Sequence, residues 1–496
     1  ADPDMKVLCG AVLALSALSL DVVTGFAASP LTNARLAYRS PLVQGSNYRS
    51  SKALRHGSLA LQGTAVVPVR QAQQAQWGPD AGQDVSQWRR NLDLKAWASE
   101  VRQVEKKYRQ GQGEEDMEHL HKILNFSYFL YAVGLVTAGW AALPWNPISA
   151  ICLSTSICAR WTMVGHHVGH GGYNKQVGAD DKFHRSNFAK GPARRFMDWC
   201  DWMQPEAWDV EHNFMHHYML GEGRDPDLLE RNTHHIREGK FPLWLKYIDV
   251  AIIACMWKWY YYAPNTLKEQ YAYEAELEAK RSRGSGAAAA PVEPVLFDTG
   301  LQPGGFGEVT RPATFRYVWR EALKMNYKPL AKMFQVLGPY FSAHFVLTPA
   351  VFYALFGPEV AATALANLVA AEILTNIHSF AIVVPNHAGE DIYRFETPVK
   401  VKSDEFYLRA VIGSANFKTG SDANDFMHGW LNYQIEHHMF PDLSMLSYQR
   451  MAPEIKAICE KHGVPYVQEN VFKRVWRTTQ IGVGTRSMLV WEKGHY

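Results

Sequence analysis

Three short segments decide the fold of this chain: HHVGH at residues 166–170, HNFMHH at residues 212–217 and QIEHH at residues 434–438. Residues four apart on a helix share a face, so each segment presents a pair of side chains to one side. These pairs are His166 with His170, His212 with His216, and Gln434 with His438. His217 and His437 lie beside those faces. Imidazole is a common ligand of iron, zinc and copper, and seven histidines exceed the four ligands of a structural zinc site. The spacing therefore predicts a centre for two metal ions.

Apolar segments surround the histidines in two pairs. Residues 123–143 and 148–164 are separated by a Pro-Trp-Asn-Pro turn, and residues 334–356 and 360–384 are separated by Gly357-Pro358. No Lys or Arg occurs inside either pair's connecting loop, whereas cations are frequent outside the pairs. Because positive charge stays on the cytosolic or stromal side of a membrane, the pattern predicts four transmembrane helices in two hairpins. A further apolar block, residues 241–263, carries charges and an aromatic belt, which favours an interfacial helix.

The predicted fold is therefore an all-α integral membrane protein with interfacial helices and a histidine-rich cytosolic or stromal cap. The last span carries Asn367, Glu372, Asn376 and His378, and polar groups at membrane depth usually line a functional cavity. Glu372, Asn376 and His387 fall near one helical face, so His387 is predicted as an eighth metal ligand. Other histidines are expected to have ordinary packing or surface roles: His121, His184, His234, His344 and His378.

Composition excludes several classes of protein. The chain has 496 residues, 47% of them hydrophobic, and a net charge of +3, which gives no electrostatic reason to bind nucleic acid. Its six cysteines contain no CxxC pair. That pattern argues against a disulfide framework, a zinc ribbon and a cysteine-ligated iron–sulfur cluster.

Residues 1–79 are predicted to be a targeting segment that directs the protein to its membrane. The first four residues have the character of a cloning remnant, and Met5-Lys6 with the apolar run 7–23 is typical of a signal peptide. Residues 27–79 contain no Asp or Glu but several Arg and Ser, as transit peptides do. The combination resembles the two-part plastid address of algae with secondary plastids. A first transmembrane helix followed by a disordered tail is the alternative.

The remaining organisation follows from these patterns. Residues 80–121 are predicted to form an amphipathic pre-membrane region, because residues 92–108 carry apolar side chains at helical spacing. Whether that helix lies on the membrane or packs on the protein is left open. Residues 122–480 are predicted to form the membrane domain, interrupted by a Gly-, Ala- and Pro-rich linker at 281–312 and followed by a tail at 481–496.

The three segments resemble the histidine boxes of the membrane fatty acid desaturase family. Gln434 opens the third box in a QxxHH form, which is similar to that of front-end acyl-lipid desaturases. Asp225-Pro226-Asp227 and the segments 440–443 and 458–466 also resemble that group. The resemblance covers residues 122–466, with the insertion at 281–312 as a departure. His167 stands where relatives often have Asp, and no His-Pro-Gly-Gly haem motif of a fused cytochrome b5 is found.

The resemblance implies an activity and a set of site residues. A front-end desaturase inserts a cis double bond between an existing double bond and the carboxyl end of a polyunsaturated acyl chain, using two iron ions, O2 and two electrons. The implied metal ligands are His166, His170, His212, His216, His217, His387, His437 and His438. Gln434, Glu436, Asn213 and Asp227 are expected to act next to those ligands, and Glu211 is a further candidate. Ferredoxin is the implied electron donor in a plastid membrane. Free cytochrome b5 and the endoplasmic reticulum are the alternatives.

Other functions are compatible with the same segments. A membrane hydroxylase of this fold could act on a lipid or a carotenoid, and some sphingolipid desaturases share the QxxHH form. A non-enzymatic reading is a membrane scaffold or lipid-binding protein derived from a desaturase, which would bind no iron.

Overall fold

The computed structural model describes residues 87–140, 145–191, 194–195, 198, 203–284 and 312–491. The targeting segment predicted for residues 1–79 lies outside these residues. The described part of the chain is mostly helical, as predicted.

The helices of the first half are given in chain order. They are Gln87–Arg90, Leu94–Gly111, Glu114–Thr137, Pro147–Ala159, the π-helix Arg160–Gly165, His166–Gly169, Pro205–Trp208, the π-helix Asp209–His216, Leu229–Asn232, His234–Arg237, Leu243–Trp257, the π-helix Lys258–Tyr262 and Ala263–Gly284.

The second half adds helices and the strands. The helices are Phe315–Leu323, Lys328–Phe341, the π-helix Ser342–Leu347, Thr348–Phe356, Pro358–Val383, the 3-10 helix Val384–His387, Asp404–Ile412, Asp422–Met427, the 3-10 helix Leu431–Tyr433, Gln434–Met439, Met445–His462 and Val471–Val483. The strands form two parallel pairs, Tyr393–Phe395 with Leu489–Trp491 and Asn416–Phe417 with Gln468–Glu469.

Within the described residues, three continuous helical segments are long and apolar enough to cross a membrane. They are Pro147–Gly169, Lys328–Phe356 and Pro358–His387. Each corresponds to a predicted span. The remaining predicted span, residues 123–143, falls largely on the helix Glu114–Thr137, whose first turn carries three acidic residues. The four-helix topology therefore stays a prediction.

Glu114–Thr137 packs along Pro147–Ala159 through small and hydroxyl residues. The Gly134 backbone lies so close to Leu153 that an added Cβ would approach its Cγ to 2.6 Å. Ser149 Oγ donates to the Gly134 carbonyl at 2.8 Å, and Ser156 Oγ donates to the Ser127 carbonyl at 2.7 Å. Small residues and hydroxyl bonds of this kind join helices in membranes, where apolar packing alone gives no preference over lipid.

Asn367 has a structural role rather than the cavity-lining role predicted for polar residues of the last span. Its Oδ1 accepts from the Asn146 backbone N–H at 2.6 Å, and its Nδ2 donates to the Ala138 carbonyl at 2.7 Å. Asn146 in turn caps the helix that begins at Pro147, with its Oδ1 3.0 Å from the Ile148 backbone nitrogen. These bonds satisfy backbone groups that would otherwise be unpaired in an apolar environment.

Two boundaries differ from the sequence prediction, that of the linker and that of the tail. The helix Ala263–Gly284 includes the first residues assigned to the linker. The C-terminal helix, Val471–Val483, continues into the segment assigned to a tail. The strand Leu489–Trp491 lies within that segment and pairs with Tyr393–Phe395. The short strands also make the fold mostly helical rather than all-α. Strand pairs of two or three residues leave too little periodicity to be read from a sequence.

The open question about the helix Leu94–Gly111 is resolved by its packing. Its apolar face, Trp97, Ala98, Val101 and Val104, is buried. It packs against the cap helix, Met445–His462, and against Asp404–Ile412. Arg109 donates to both carboxylate oxygens of Asp442, at 2.6 and 2.8 Å. The helix therefore belongs to the protein core of the cap.

Candidate metal centre

The first two histidine boxes lie on or beside widened helical turns. The π-helix Arg160–Gly165 leads directly into His166, and the π-helix Asp209–His216 carries most of the second box. The third box forms the short helix Gln434–Met439. Single π turns within helices are uncommon and occur frequently at functional sites, because they change which side chains share a face.

Five histidines from all three boxes form the first group: His166, His170, His212, His217 and His437. Each offers one ring nitrogen, and these atoms lie within 4.8 Å of one another. The Nε2 atoms of His166 and His212 are 3.0 Å apart. Two nitrogens bound to one tetrahedral ion at ordinary Zn–N lengths are about 3.3 Å apart, so this spacing suits a shared ion.

Three histidines form a second group: His216, His387 and His438. His387 is the last residue of the candidate span Pro358–His387, in the 3-10 helix Val384–His387 that ends it. The Gln434 amide lies between two of these rings, with its Nε2 3.1 Å from His387 Nε2 and 3.0 Å from His438 Nε2. The structure thus brings together all eight predicted ligands, and it divides them into five and three.

The ring nitrogens fit a metal. The centre is buried apart from the partly exposed His387, yet nitrogens of His170, His212, His217, His387, His437 and His438 have no hydrogen-bond partner in the described residues. Buried polar atoms normally have partners. Burial, followed by the neighbouring imidazoles, holds the pKa of His170, His212 and His437 well below the usual range. Those rings are therefore neutral, which is the form that binds metal ions.

Asp225 orients His216. Its Oδ1 lies 2.9 Å from His216 Nδ1, and its Oδ2 accepts from the Gly221 backbone N–H at 2.7 Å. The predicted Asp227 is farther away, with Oδ2 3.8 Å from the same nitrogen. Burial lowers the pKa of His216, but Asp225 and Asp227 together raise it by more. A carboxylate on Nδ1 leaves Nε2 free to face an ion. The sequence indicated this Asp-Pro-Asp segment, but its spacing gave no means of choosing Asp225.

Glu436 is held on the outer side of the third box by two partners. Asn416 Nδ2 donates to its Oε2 at 2.9 Å, and the Tyr466 hydroxyl donates to its Oε1 at 2.8 Å. Asn416 Oδ1 also accepts from the Ile435 backbone N–H at 2.9 Å. Burial raises the pKa of Glu436 to about 7, partly offset by these two donors. Glu436 therefore anchors the helix that carries His437 and His438.

Asn213 joins the first two boxes. Its Nδ2 donates to the Gly169 carbonyl at 3.2 Å and to Asp209 Oδ1 at 2.6 Å. Arg185 also contacts Asp209, at 3.2 Å. A cavity of about 30 Å³ lies here, lined in part by Asn213, Asp209 and Trp208. A space of this size suits one water molecule next to the centre.

Glu211 is fully buried beside His212, and neither carboxylate oxygen has a hydrogen-bond partner in the described residues. Burial, followed by Asp227 and Glu269, raises the pKa of Glu211 well above the usual range. The surroundings of Glu211 therefore favour its protonated form over the anion.

The other histidines of the described residues lie outside both groups. His344 stacks on Tyr340 with ring centroids 4.0 Å apart, and His378 Nε2 lies 2.6 Å from the Met427 carbonyl oxygen. His121 contacts Phe183 edge-on, and His184 contacts Ser186. His167, despite its place in the first box, turns its Nδ1 to the Met163 carbonyl at 2.8 Å.

Comparisons with known proteins agree on one family. A sequence model described as fatty acid desaturase matches residues 299–470. The NADPH-dependent stearoyl-CoA 9-desaturase of Mycobacterium tuberculosis is 24% identical over 398 residues, which cover 78% of this chain and 79% of that protein. No solved structure matches.

Two shorter matches carry desaturase names as well. The acyl-lipid (9-3)-desaturase of Physcomitrium patens is 30% identical over 95 residues, 19% of this chain and 17% of that protein. Fatty acid desaturase 3 of Bos taurus is 52% identical over 42 residues, 8% of this chain and 10% of that protein. Together the matches show that the chain is similar to fatty acid desaturases. Desaturases are oxidoreductases, so the chain is an oxidoreductase enzyme, and its apolar helices indicate membrane association.

Proposed function

We propose that the protein is a front-end acyl-lipid desaturase, which inserts a cis double bond on the carboxyl side of an existing one. The observation that supports a desaturase is the division of eight histidines, seven of them buried and His387 partly exposed, into two adjacent groups at the end of an apolar helix. The front-end type rests on Gln434 in the QxxHH box and on the short match to an acyl-lipid desaturase.

The proposed ligands of two iron ions are the five histidines of the first group and the three of the second. Gln434 would complete the second group with its amide turned over, so that the side-chain oxygen takes the place of the Nε2 that lies between His387 and His438. Both groups are mostly imidazole, and imidazole suits iron. When bound, the two ions would supply O2 activation and the removal of two hydrogen atoms from neighbouring methylenes.

The protein's own contribution would be positioning. Unactivated methylenes differ little in reactivity, so the site must hold one C–C bond next to the metal ions. We propose that the acyl chain lies between the spans and the cap, in a four-span membrane domain. Asn213 would hold the first two boxes together. Asp225 would orient His216, with Asp227 more distant. Glu436 would anchor the helix that carries the third box.

Electrons are proposed to come from ferredoxin in a plastid membrane. The support is the acid-poor, Arg- and Ser-bearing composition of residues 27–79. Free cytochrome b5 at the endoplasmic reticulum is the second possibility, and co-expression of each donor with the enzyme would distinguish them.

The test is a fatty acid profile with metal analysis. The full chain is expressed in a host supplied with polyunsaturated acids and with either donor, and new double bonds are located by mass spectrometry of derivatised acids. We expect a new bond on the carboxyl side of an existing one and about two irons per chain. His217→Ala should abolish the product. His344→Ala, which removes a buried imidazole outside both groups, should keep it.

Other outcomes assign other functions. Hydroxylated product would favour a membrane hydroxylase, and a product found only on sphingoid bases or carotenoids would change the substrate. A wild-type chain that binds no iron would refute the metal centre and favour the scaffold reading. Equal loss of product in both histidine variants would remove the link between the two groups and activity.

A further inference from the structure

The C-terminal helix has two contrasting faces. Arg474 and Thr478 are buried, whereas Phe472 is 79% exposed and Trp476 is 54% exposed. Large aromatic side chains exposed together on one helix mark an interaction surface. The question is what covers them.

The exposed face continues onto a neighbouring helix. The ring of Trp476 stacks on Tyr247 with centroids 5.7 Å apart and an interplanar angle of 4°. Tyr247 belongs to the helix Leu243–Trp257, which the sequence predicts to be interfacial. Gly482 of the C-terminal helix also packs close to Val250 of that helix. Further exposed apolar residues on or next to that helix are Phe241, Leu243, Trp244, Ile248 and Ile252. The two helices therefore present one apolar surface.

Its position favours a lipid bilayer as the occupant. Both helices pack against the candidate span Pro358–His387, and the C-terminal helix contacts the end that carries His387. That end lies where the span leaves the membrane, and Trp and Tyr favour this level. Lys240 and Lys473 are exposed at the edges of the surface, where ammonium groups can reach lipid phosphates.

The buried face holds the segment that carries His387. Arg474 donates to the Pro385 carbonyl at 3.2 Å, to the Ala388 carbonyl at 3.0 Å and to both oxygens of Asp391 at 2.6 and 2.8 Å. Thr478 Oγ1 donates to the same Ala388 carbonyl at 3.0 Å. Because the chain leaves its helix here, these carbonyls need partners from elsewhere. The carbonyls flank His387 on both sides.

We propose that the C-terminal helix docks on the bilayer interface through Phe472 and Trp476 and, through Arg474, positions His387 in the second histidine group. Arg474 is a positioning residue, because it acts on the backbone around His387. The positioning half rests on the proposed metal centre, whereas the docking half does not.

Docking is tested by photocrosslinking. Benzoylphenylalanine replaces Phe472 in the full chain, reconstituted in nanodiscs of phosphatidylcholine and phosphatidylglycerol. We expect a covalent lipid adduct after irradiation. The matched control places the same group at Ala457, an exposed position on the cap helix, and should give no adduct. Adduct formation at both positions, a protein adduct at 472, or no adduct there would each overturn docking.

Positioning is tested by iron per chain and by the spectrum of the iron. Arg474→Met should lower iron from about two per chain to about one, and Arg474→Lys should partly restore it. Arg237→Met is the control, because Arg237 donates to the Ile481 and Arg486 carbonyls at the far end of the C-terminal helix and, within the described residues, bonds none of residues 385–391. Parallel loss of both ions would indicate general unfolding and overturn positioning, as would unchanged iron. A wild-type chain without iron would overturn both the proposed function and the positioning of His387. The lipid adduct would still decide whether the C-terminal helix docks on the bilayer.

Discussion

Replacing Asn416 by Ala should be one of the most destabilising single changes in the cap. Asn416 is fully buried and donates to Glu436 at 2.9 Å and to the Tyr466 hydroxyl at 2.6 Å. It also accepts from the Ile435 backbone N–H at 2.9 Å. The alanine variant leaves a carboxyl oxygen and a backbone N–H buried without partners.

The magnitude follows from those lost bonds. Each buried group left unpaired costs about 1–3 kcal/mol, so we expect Asn416→Ala to lower the free energy of unfolding by about 3–5 kcal/mol. At about 2 °C per kcal/mol for a large domain, the thermal midpoint should fall by about 6–10 °C. Tyr466→Phe removes one donor to Glu436 and should lower the free energy of unfolding by about 1–2 kcal/mol.

The assay is thermal unfolding of the purified protein in detergent, with iron content measured on the same samples. Asn432→Ala is the matched control, because Asn432 is equally buried but makes one amide bond, to the Lys418 carbonyl at 2.9 Å. It should lower the midpoint by about 2 °C. Equal shifts for Asn416→Ala and Asn432→Ala would refute the reasoning, since the anchor on Glu436 would then add nothing.

Two further predictions concern the packing around the boxes. Gly172→Ala would place a Cβ 2.5 Å from the Leu443 carbonyl oxygen, so it should lower the thermal midpoint by several degrees. Gly178→Ala is the control, because a Cβ there would meet no described atom within 4 Å, and it should leave the midpoint unchanged. Asp442→Asn should lower the free energy of unfolding by less than about 1 kcal/mol, because the Asp442 side chain is half exposed. Burial raises the pKa of Asp442, but Arg109 lowers it by more. The lowered pKa means that the difference from wild type should persist from pH 7 down to about pH 4 and shrink below it. Thermal midpoints measured across that range would check this, and a difference that grows on acidification would contradict it.

The sequence predicted which residues form the centre better than it predicted how they are arranged. The i, i+4 spacing indicated inward pairs, and the structure brings those pairs together with His387. The division into five and three histidines depends on how distant helices meet, which spacing within one segment does not encode. The same holds for Glu436, whose partners Asn416 and Tyr466 lie on other parts of the chain.

The remaining differences have local causes. Either carboxylate of Asp225-Pro226-Asp227 could have turned to His216, and only the turn geometry selects Asp225. The strand Leu489–Trp491 is short, and its partner is distant in sequence, so composition alone suggested a tail. Asn367 was indicated as polar at membrane depth, but its partners in the other hairpin decide its structural role.

The π-helix Arg160–Gly165 makes the number of residues before His166 as important as their identity. A wide turn accommodates one residue more than an α-helical turn does. Deleting one of these six residues would let the segment relax to a regular helix that reaches His166 with nearly the same rotation, because the wide turn holds its extra residue without adding to the turn. An inserted residue has no such outlet and adds about 100° of rotation, which would turn His166 and His170 together away from His212 and His437. Single-residue insertions here should therefore be far less tolerated than single-residue deletions, and a variant library of this enzyme should not lengthen this segment.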